Sequence, residues 1–321
     1  MSTTASFPAL AALVGAGAAG RGSADLPSAL RQAEISALLT DAADLLAAPG
    51  AAGTRPVLRS LHHFACTGGT LLSKCIAAMP CTRLLSEVDP LSALAPNQGF
   101  VPTDLIGLCK QGSAPPSQAA LIQIFMAGLA TLSDLSNAEG RDLVLRDHSH
   151  SHYCYGPSVP QRPSLRALLE EDYEVLSLVT LRHPLDSYIS LKRQNWVHFS
   201  PGNLNEYARR YLLFLEEYAD RQWLRYEDFV SDPEVQMQKI CSCLRLAYNP
   251  DFVTLFSALR LSGDSGRGGA EIGLKPRREV PQEILAELKA APNYELLCIR
   301  LGYNPDPESV PVAQSDETSS F

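Results

Sequence analysis

The sequence predicts an α/β fold: three α/β/α layers built on a central parallel sheet, preceded by an N-terminal helical extension. Three observations lead there. Strand-like and helix-like segments alternate along most of the chain, the pattern of a parallel sheet covered on both faces. Residues 175–181 form a largely apolar run with β-branched members, as expected of a strand buried on both sides. Residues 56–79 read as strand, short glycine turn and helix.

Taken in order, residues 1–54 are Ala-rich, and 27–48 read as an amphipathic helix carrying Leu30, Ile35, Leu38, Leu39, Leu45 and Leu46. Pro27 suits a first helical position and Pro49-Gly50 a stop. This extension is expected to pack on the main domain, residues 55–302. That domain opens with a strand at 56–65 and a helix at 70–79 ended by Pro80. A second strand follows at 82–86, then a Pro- and Gly-rich stretch at 90–116 and a helix at 117–135. Strands at 143–146, 175–181 and 222–226 complete the sheet. Helices are expected after Pro184, at 204–218, at 233–246 and at 281–290. Residues 262–275 are a Gly-rich loop. From 303 to 321 the chain is rich in Pro, Ser and acidic residues, with no basic residue after Arg300, and is expected to be disordered.

The 321 residues carry a formal net charge of −8. That balance argues against a general nucleic-acid or polyanion surface, though not against a small basic pocket. The eight cysteines, Cys66, Cys75, Cys81, Cys109, Cys154, Cys241, Cys243 and Cys298, include no CxxC pair. They are expected to be free thiols in a reducing, cytoplasmic setting. The apolar run at 7–19 has no basic residue before it, unlike a signal peptide. No membrane span is expected.

Between the first strand and helix stands Cys66-Thr67-Gly68-Gly69-Thr70. Glycines allow close backbone approach, the threonines add hydroxyls, and the helix start presents unpaired N–H groups. Such a turn suits a phosphate or, equally, is a plain connection. It is no Walker A loop, because no GxxxxGK[ST] occurs. A second segment runs Leu181-Arg182-His183-Pro184-Leu185-Asp186-Ser187-Tyr188-Ile189-Ser190. Arg182 ends a buried strand, and Ser190 lies about two helical turns on. Both suit one phosphate; alternatively Arg182 pairs with Asp186 for structure.

Together these segments resemble the signatures of sulfotransferases that use 3′-phosphoadenosine-5′-phosphosulfate (PAPS), a P-loop-like fold. Cys66, Thr67, Gly68, Gly69, Thr70 and Leu71 stand where that family has its 5′-phosphosulfate loop. Arg182 and Ser190 match its 3′-phosphate motif. Leu224-Arg225-Tyr226-Glu227-Asp228 is similar to its Tyr-Glu-Asp block, where the Tyr lies near adenine. Arg267-Gly268-Gly269 resembles its late Arg-Lys-Gly loop. The matches fall in family order over residues 55–275. The resemblance implies sulfuryl transfer from PAPS to a hydroxyl or amine, leaving 3′-phosphoadenosine-5′-phosphate, with no metal required.

Two residues are candidates for the base. Glu87 follows Gly68 by nineteen residues, as in Golgi-type members of that family. His148, in Arg146-Asp147-His148, is similar to the His of cytosolic members. One departure stands out: the family has Lys or Arg where this chain has Cys66. Arg59, His62, His63, Lys74 and Arg146 are possible substitutes, and Arg146 is the choice made on sequence. The departure keeps a second reading open, a nucleotide-binding scaffold without chemistry; a P-loop kinase is a third, opposed by the missing Walker lysine. In an extended strand His148, His150, His152 and Cys154 would share one face, as zinc ligands do, yet alternating His and Ser in a loop is no metal signature, and no metal is expected. Tyr188, Trp196 and the aromatic residues of 204–218 are expected to be packing. Residues 90–135 and 148–163 are expected to shape an acceptor pocket for a small molecule, a sugar or a lipid-like alcohol.

Overall fold

The computed structural model describes residues 55–94, 102–264 and 271–309. The expected helix at 27–48, the Arg267-Gly268-Gly269 loop and the end of the tail lie outside the described residues.

The order of elements is β1 Val57–His63, α1 Gly69–Ala77, β2 Thr82–Val88, α2 Leu105–Gln111, α3 Gln118–Ala138, β3 Asp142–Asp147, α4 Ser149–Tyr153, β4 Tyr155–Gly156, α5 Leu165–Leu169 and β5 Glu174–Leu181. There follow α6 Pro184–Arg193, β6 His198–Phe199, α7 Leu204–Glu217, β7 Gln222–Arg225, α8 Tyr226–Ser231, α9 Pro233–Leu244, α10 Phe252–Leu255, α11 Gln282–Leu288 and α12 Pro292–Leu301. Five strands form one parallel sheet in the order β2-β3-β1-β5-β7, and β4 and β6 pair separately. The expected α/β architecture is therefore present, with β1 at its centre.

Successive strand residues serve opposite layers. On β5, Leu178 packs with Leu61, Ile76, Leu224 and Ile240 on the side of α1 and α9. Its neighbour Val179 packs with Phe64, Tyr207, Tyr211 and Phe214 on the side of α6, α7 and α12. Helix α7 buries Leu204, Tyr207, Ala208, Tyr211 and Leu215, a stripe at helical spacing, and Asn203 caps its first turn through Glu206 N–H. Each such large apolar side chain contributes roughly 1.5–3 kcal/mol by burial.

The sheet centre is not wholly apolar. Ser60 Oγ meets Ser177 Oγ at 2.8 Å, and His62 bridges Ser60 and Asp147 at 2.9 and 3.0 Å. Tyr218 hydroxyl donates to the same Asp147 carboxylate. Each of these buried polar groups has a partner, which keeps the seam affordable.

The short elements β4, β6, α4, α5, α8 and α10 were not anticipated, and three further features stand out. Helix α12, unanticipated, covers α7. The chain stays packed past residue 302: Tyr303 is 4% exposed, its hydroxyl donates to Glu227, and Arg277 holds the carbonyls of Asp306, Pro307 and Ser309. An acidic, Pro-rich composition did not reveal these specific anchors. Finally, α3 is by length and composition apolar enough to cross a membrane, and only 22% of its most apolar window is buried. Its few polar residues include Gln123 and Asp134, which hid this run from a simple search for unbroken apolar sequence.

Candidate active site

All five strands of the main sheet deliver residues from their carboxyl ends, or just beyond them, to one cleft of about 740 Å³. After β1 come Cys66, Gly68, Gly69, Thr70 and Leu71; β2 contributes Glu87; β3 contributes Arg146 and, just past it, His148; Arg182 follows β5; Tyr226 follows β7. Ser190 reaches the same cleft from α6.

At one end lies the glycine loop. Cys66 and Gly68 both adopt left-handed φ, 64° and 93°. The thiol side chain is half-buried, and the Cys66 carbonyl accepts from Arg182 Nη1 at 3.3 Å. A Cβ on Gly68 would lie 2.3 Å from Cδ2 of Tyr226, and one on Gly69 2.6 Å from the His63 ring. Only glycine fits between those rings. Gly68 caps α1 with no side-chain hydrogen bond, and no acidic residue occupies the first turn. The uncapped N–H groups and the positive helix end therefore face the cleft as an anion cradle. Arg182 lies over the Tyr226 ring at 4.8 Å, a cation beside an aromatic platform. Asp186 is not its partner: that carboxylate pairs with Arg277 at 3.2 Å, which overturns the structural pairing that sequence left open.

Thr67 is a correction. Its hydroxyl donates to the Phe64 and Thr180 carbonyls at 2.8 and 3.2 Å, and the side chain is fully buried. It pins the loop to β1 and β5 and does not line the cleft.

At the other end stand the two candidate bases, in contact with each other. Glu87 Oε2 is 3.3 Å from His148 Nε2, and Glu87 Oε1 is 2.8 Å from Arg146 Nη2. Glu87 sits where the β2–β3 register shifts, with φ 63°. Such a bulge re-aims a side chain and holds a strained backbone. Gly263 closes behind it: at φ 71°, a Cβ there would meet Glu87 Oε1 at 2.3 Å.

Arg146 does not stand at the place Cys66 leaves. Its three nitrogens hold His63 Nε2, Ser86 Oγ and Glu87, at 2.9, 2.9 and 2.8 Å, and it is 4% exposed. It orients the carboxylate. His63 must accept from Arg146 at Nε2, so its Nδ1 donates to the Phe64 carbonyl. Burial, reinforced by the adjacent guanidinium, holds the His63 pKa well below the usual range. Sequence reasoning gave His63, Ser86 and Gly263 no such part, since only the folded sheet brings them to Glu87.

Ser149–Tyr153 is helical, so the alternating histidines do not share one strand face. His148 and His150 turn to the cleft with Trp196 and His198, while Cys154 is buried in the core. His150 Nε2 is 3.3 Å from His198 Nδ1. Burial, then the neighbouring His148 and His198, push the His150 pKa down to about 3. Trp196 thus lines the cleft rather than only packing. Tyr188 is core, its hydroxyl bound to Glu287. Ser92, Leu94 and Asp104 bring part of the expected acceptor segment to the cleft.

No family model matches this chain, and neither does any curated protein. Several solved structures do resemble it. The sulfotransferase domain from the Synechococcus PCC 7002 olefin synthase is 17% identical over 79% of this chain and 97% of its own, with TM-score 0.48. The sulfotransferase domain from the curacin biosynthetic pathway is 16% identical over 78% and 99%, with TM-score 0.43. A mouse sulfotransferase complexed with PAP is 11% identical over 75% and 88%, with TM-score 0.39. The chain is similar to sulfotransferases in fold.

Proposed function

We propose that this chain is a sulfotransferase that takes the sulfuryl group of PAPS and transfers it to a hydroxyl or amine of a small molecule, sugar or lipid-like alcohol. One observation carries the reading: a glycine anion cradle with an Arg–Tyr platform faces a carboxylate–imidazole couple across a single cleft. PAPS supplies the sulfuryl group and leaves as 3′-phosphoadenosine-5′-phosphate. The α1 N-terminus and the loop N–H groups hold its 5′ end, Arg182 and Ser190 its 3′-phosphate, and Tyr226 its adenine. Glu87, fixed by Arg146, takes the proton from the acceptor atom as it attacks, and His148 orients the same carboxylate. Proton transfer by a placed base contributes about 10²–10⁴-fold in rate.

The test is transfer of radiolabelled sulfate from PAPS to a panel of phenols, sugars and long-chain alcohols. Wild type should label at least one acceptor, and Glu87→Gln should abolish labelling while the bisphosphate product still binds. If His148→Asn abolishes labelling and Glu87→Gln retains most of it, the imidazole is the base instead. Tight bisphosphate binding with no labelling of any acceptor would favour the scaffold reading that Cys66 motivates.

A further inference from the structure

Resting on that reading, we infer that Lys74 is the cation serving the 5′ anion in the place Cys66 leaves, and that Asp264 is its counter-ion until the anion arrives. The other substitutes are spoken for. Arg59 donates to the Leu244 carbonyl and pairs with Asp142. His62 is buried against Ser60 and Asp147. His63 is a neutral acceptor of Arg146, and Arg146 holds Glu87.

Lys74 differs from all of these. It lies five residues beyond Gly69 on α1, about 7.5 Å along the axis. Helical side chains lean toward the N-terminus, so its stem runs back toward the anion cradle. Lys74 lines the cleft, and so does Asp264, at 2.6 Å from its Nζ; the two side chains are only 11% and 8% exposed.

Asp264 is placed deliberately. Ser86 hydroxyl donates to the Ser262 carbonyl and Ser262 hydroxyl to the Ser86 carbonyl, at 2.9 and 2.7 Å. That reciprocal pair ties the 262–264 turn to β2 beside Glu87, with Gly263 against the carboxylate. A buried ammonium without a counter-charge is costly, so Asp264 keeps Lys74 charged within the cleft until an anion arrives. An incoming phosphosulfate replaces Asp264 as the partner of Lys74, with no bond made or broken.

Calorimetry on the full chain separates the parts of this inference. The probes are 3′-phosphoadenosine-5′-phosphate, adenosine 3′-monophosphate, which lacks the 5′ anion, and inorganic pyrophosphate, which needs only the cradle. Lys74→Met should weaken the bisphosphate and pyrophosphate by about ten- to a hundredfold, the scale of a charged hydrogen bond, and leave the 3′-monophosphate unchanged. Asp264→Asn should tighten the first two and not the third. Lys74→Arg should restore most of the loss. The double variant Lys74→Met/Asp264→Asn, which removes both charges of the pair, provides a folded reference should Lys74→Met alone be unstable, and it should bind the bisphosphate as weakly as Lys74→Met. Equal weakening of all three ligands, or of none, overturns the inference. So does an Asp264→Asn variant with unchanged affinities. Pyrophosphate binding that depends on Lys74, with no binding of either nucleotide, would keep Lys74 as the anion's cation and sink the PAPS reading alone.

Discussion

The two ends of the cleft are built by different means. The end proposed to hold the nucleotide is made largely by the backbone: left-handed turns at Cys66 and Gly68, two glycines each against a ring, a helix start, and an arginine on a tyrosine. The base end is made by side chains in relay, from His63 through Arg146 to Glu87, with His148 and Gly263 on its other sides. Backbone devices depend on few residue types at fixed spacing. A side-chain relay depends on which strands the fold brings together. The first should therefore fail through shape and the second through chemistry.

The largest effect should come from Glu87→Gln, which keeps the shape and removes the charge. Turnover is expected to fall about 10²–10⁴-fold with bisphosphate affinity unchanged, as read by steady-state kinetics and calorimetry on the same sample. A parallel loss of affinity would mean the two ends are not separable. Next is Gly263→Ala, far from the glycine loop in sequence. The added methyl displaces Glu87, and misplacement on the ångström scale costs up to about a hundredfold in rate, read as turnover at saturating donor.

Gly68→Ala attacks the other end. The methyl would strike Tyr226 and the φ of 93° is unfavourable to alanine, so a stability loss of about 1–3 kcal/mol is expected. Thermal unfolding should show it, and nucleotide binding should go with it. The smallest effect concerns acid. His183 accepts from Leu185 N–H and donates to the Asn304 carbonyl, so it is neutral in the fold. Burial, then the nearby Arg277, push its pKa down to about 4. The unfolded chain, with an ordinary histidine near 6.5, binds more protons between those values, so stability falls as pH drops through about 6.5 toward 4. Each pH unit across that window costs about 1.4 kcal/mol, a few degrees in Tm. His183→Gln should flatten the slope of Tm against pH in that window; an unchanged slope would place the sensitivity elsewhere.

The same contrast explains what was legible in sequence. Gly68, Gly69, Arg182 and Tyr226 follow strands at readable spacings, and the apolar runs placed those strands. Glu87 and His148 were both legible as candidate bases, yet their contact was not, because it requires β2 and β3 to pair with a bulge. Arg146 was assigned to the wrong partner for the same reason. His63 reads as one of two histidines in a strand, and nothing local says that His62 faces Asp147 while its neighbour faces the cleft. Thr67 carried a motif position but is spent on holding the loop. Helix α12 and the packed residues from Tyr303 onward were missed because their anchors are distant in sequence: Arg225 on the Leu301 carbonyl, Glu227 on Tyr303 and Arg277 on the carbonyls of Asp306, Pro307 and Ser309.

The central claim is that Arg182 and the glycine loop form a site for an adenosine 3′,5′-bisphosphate. Calorimetry of 3′-phosphoadenosine-5′-phosphate with wild type and Arg182→Ala tests it without knowledge of the acceptor. Binding at micromolar Kd or tighter, about −8 kcal/mol, weakened at least about tenfold in the variant, is the expected result. A folded wild type that binds no bisphosphate, or an Arg182→Ala variant that binds it equally well, would contradict the account.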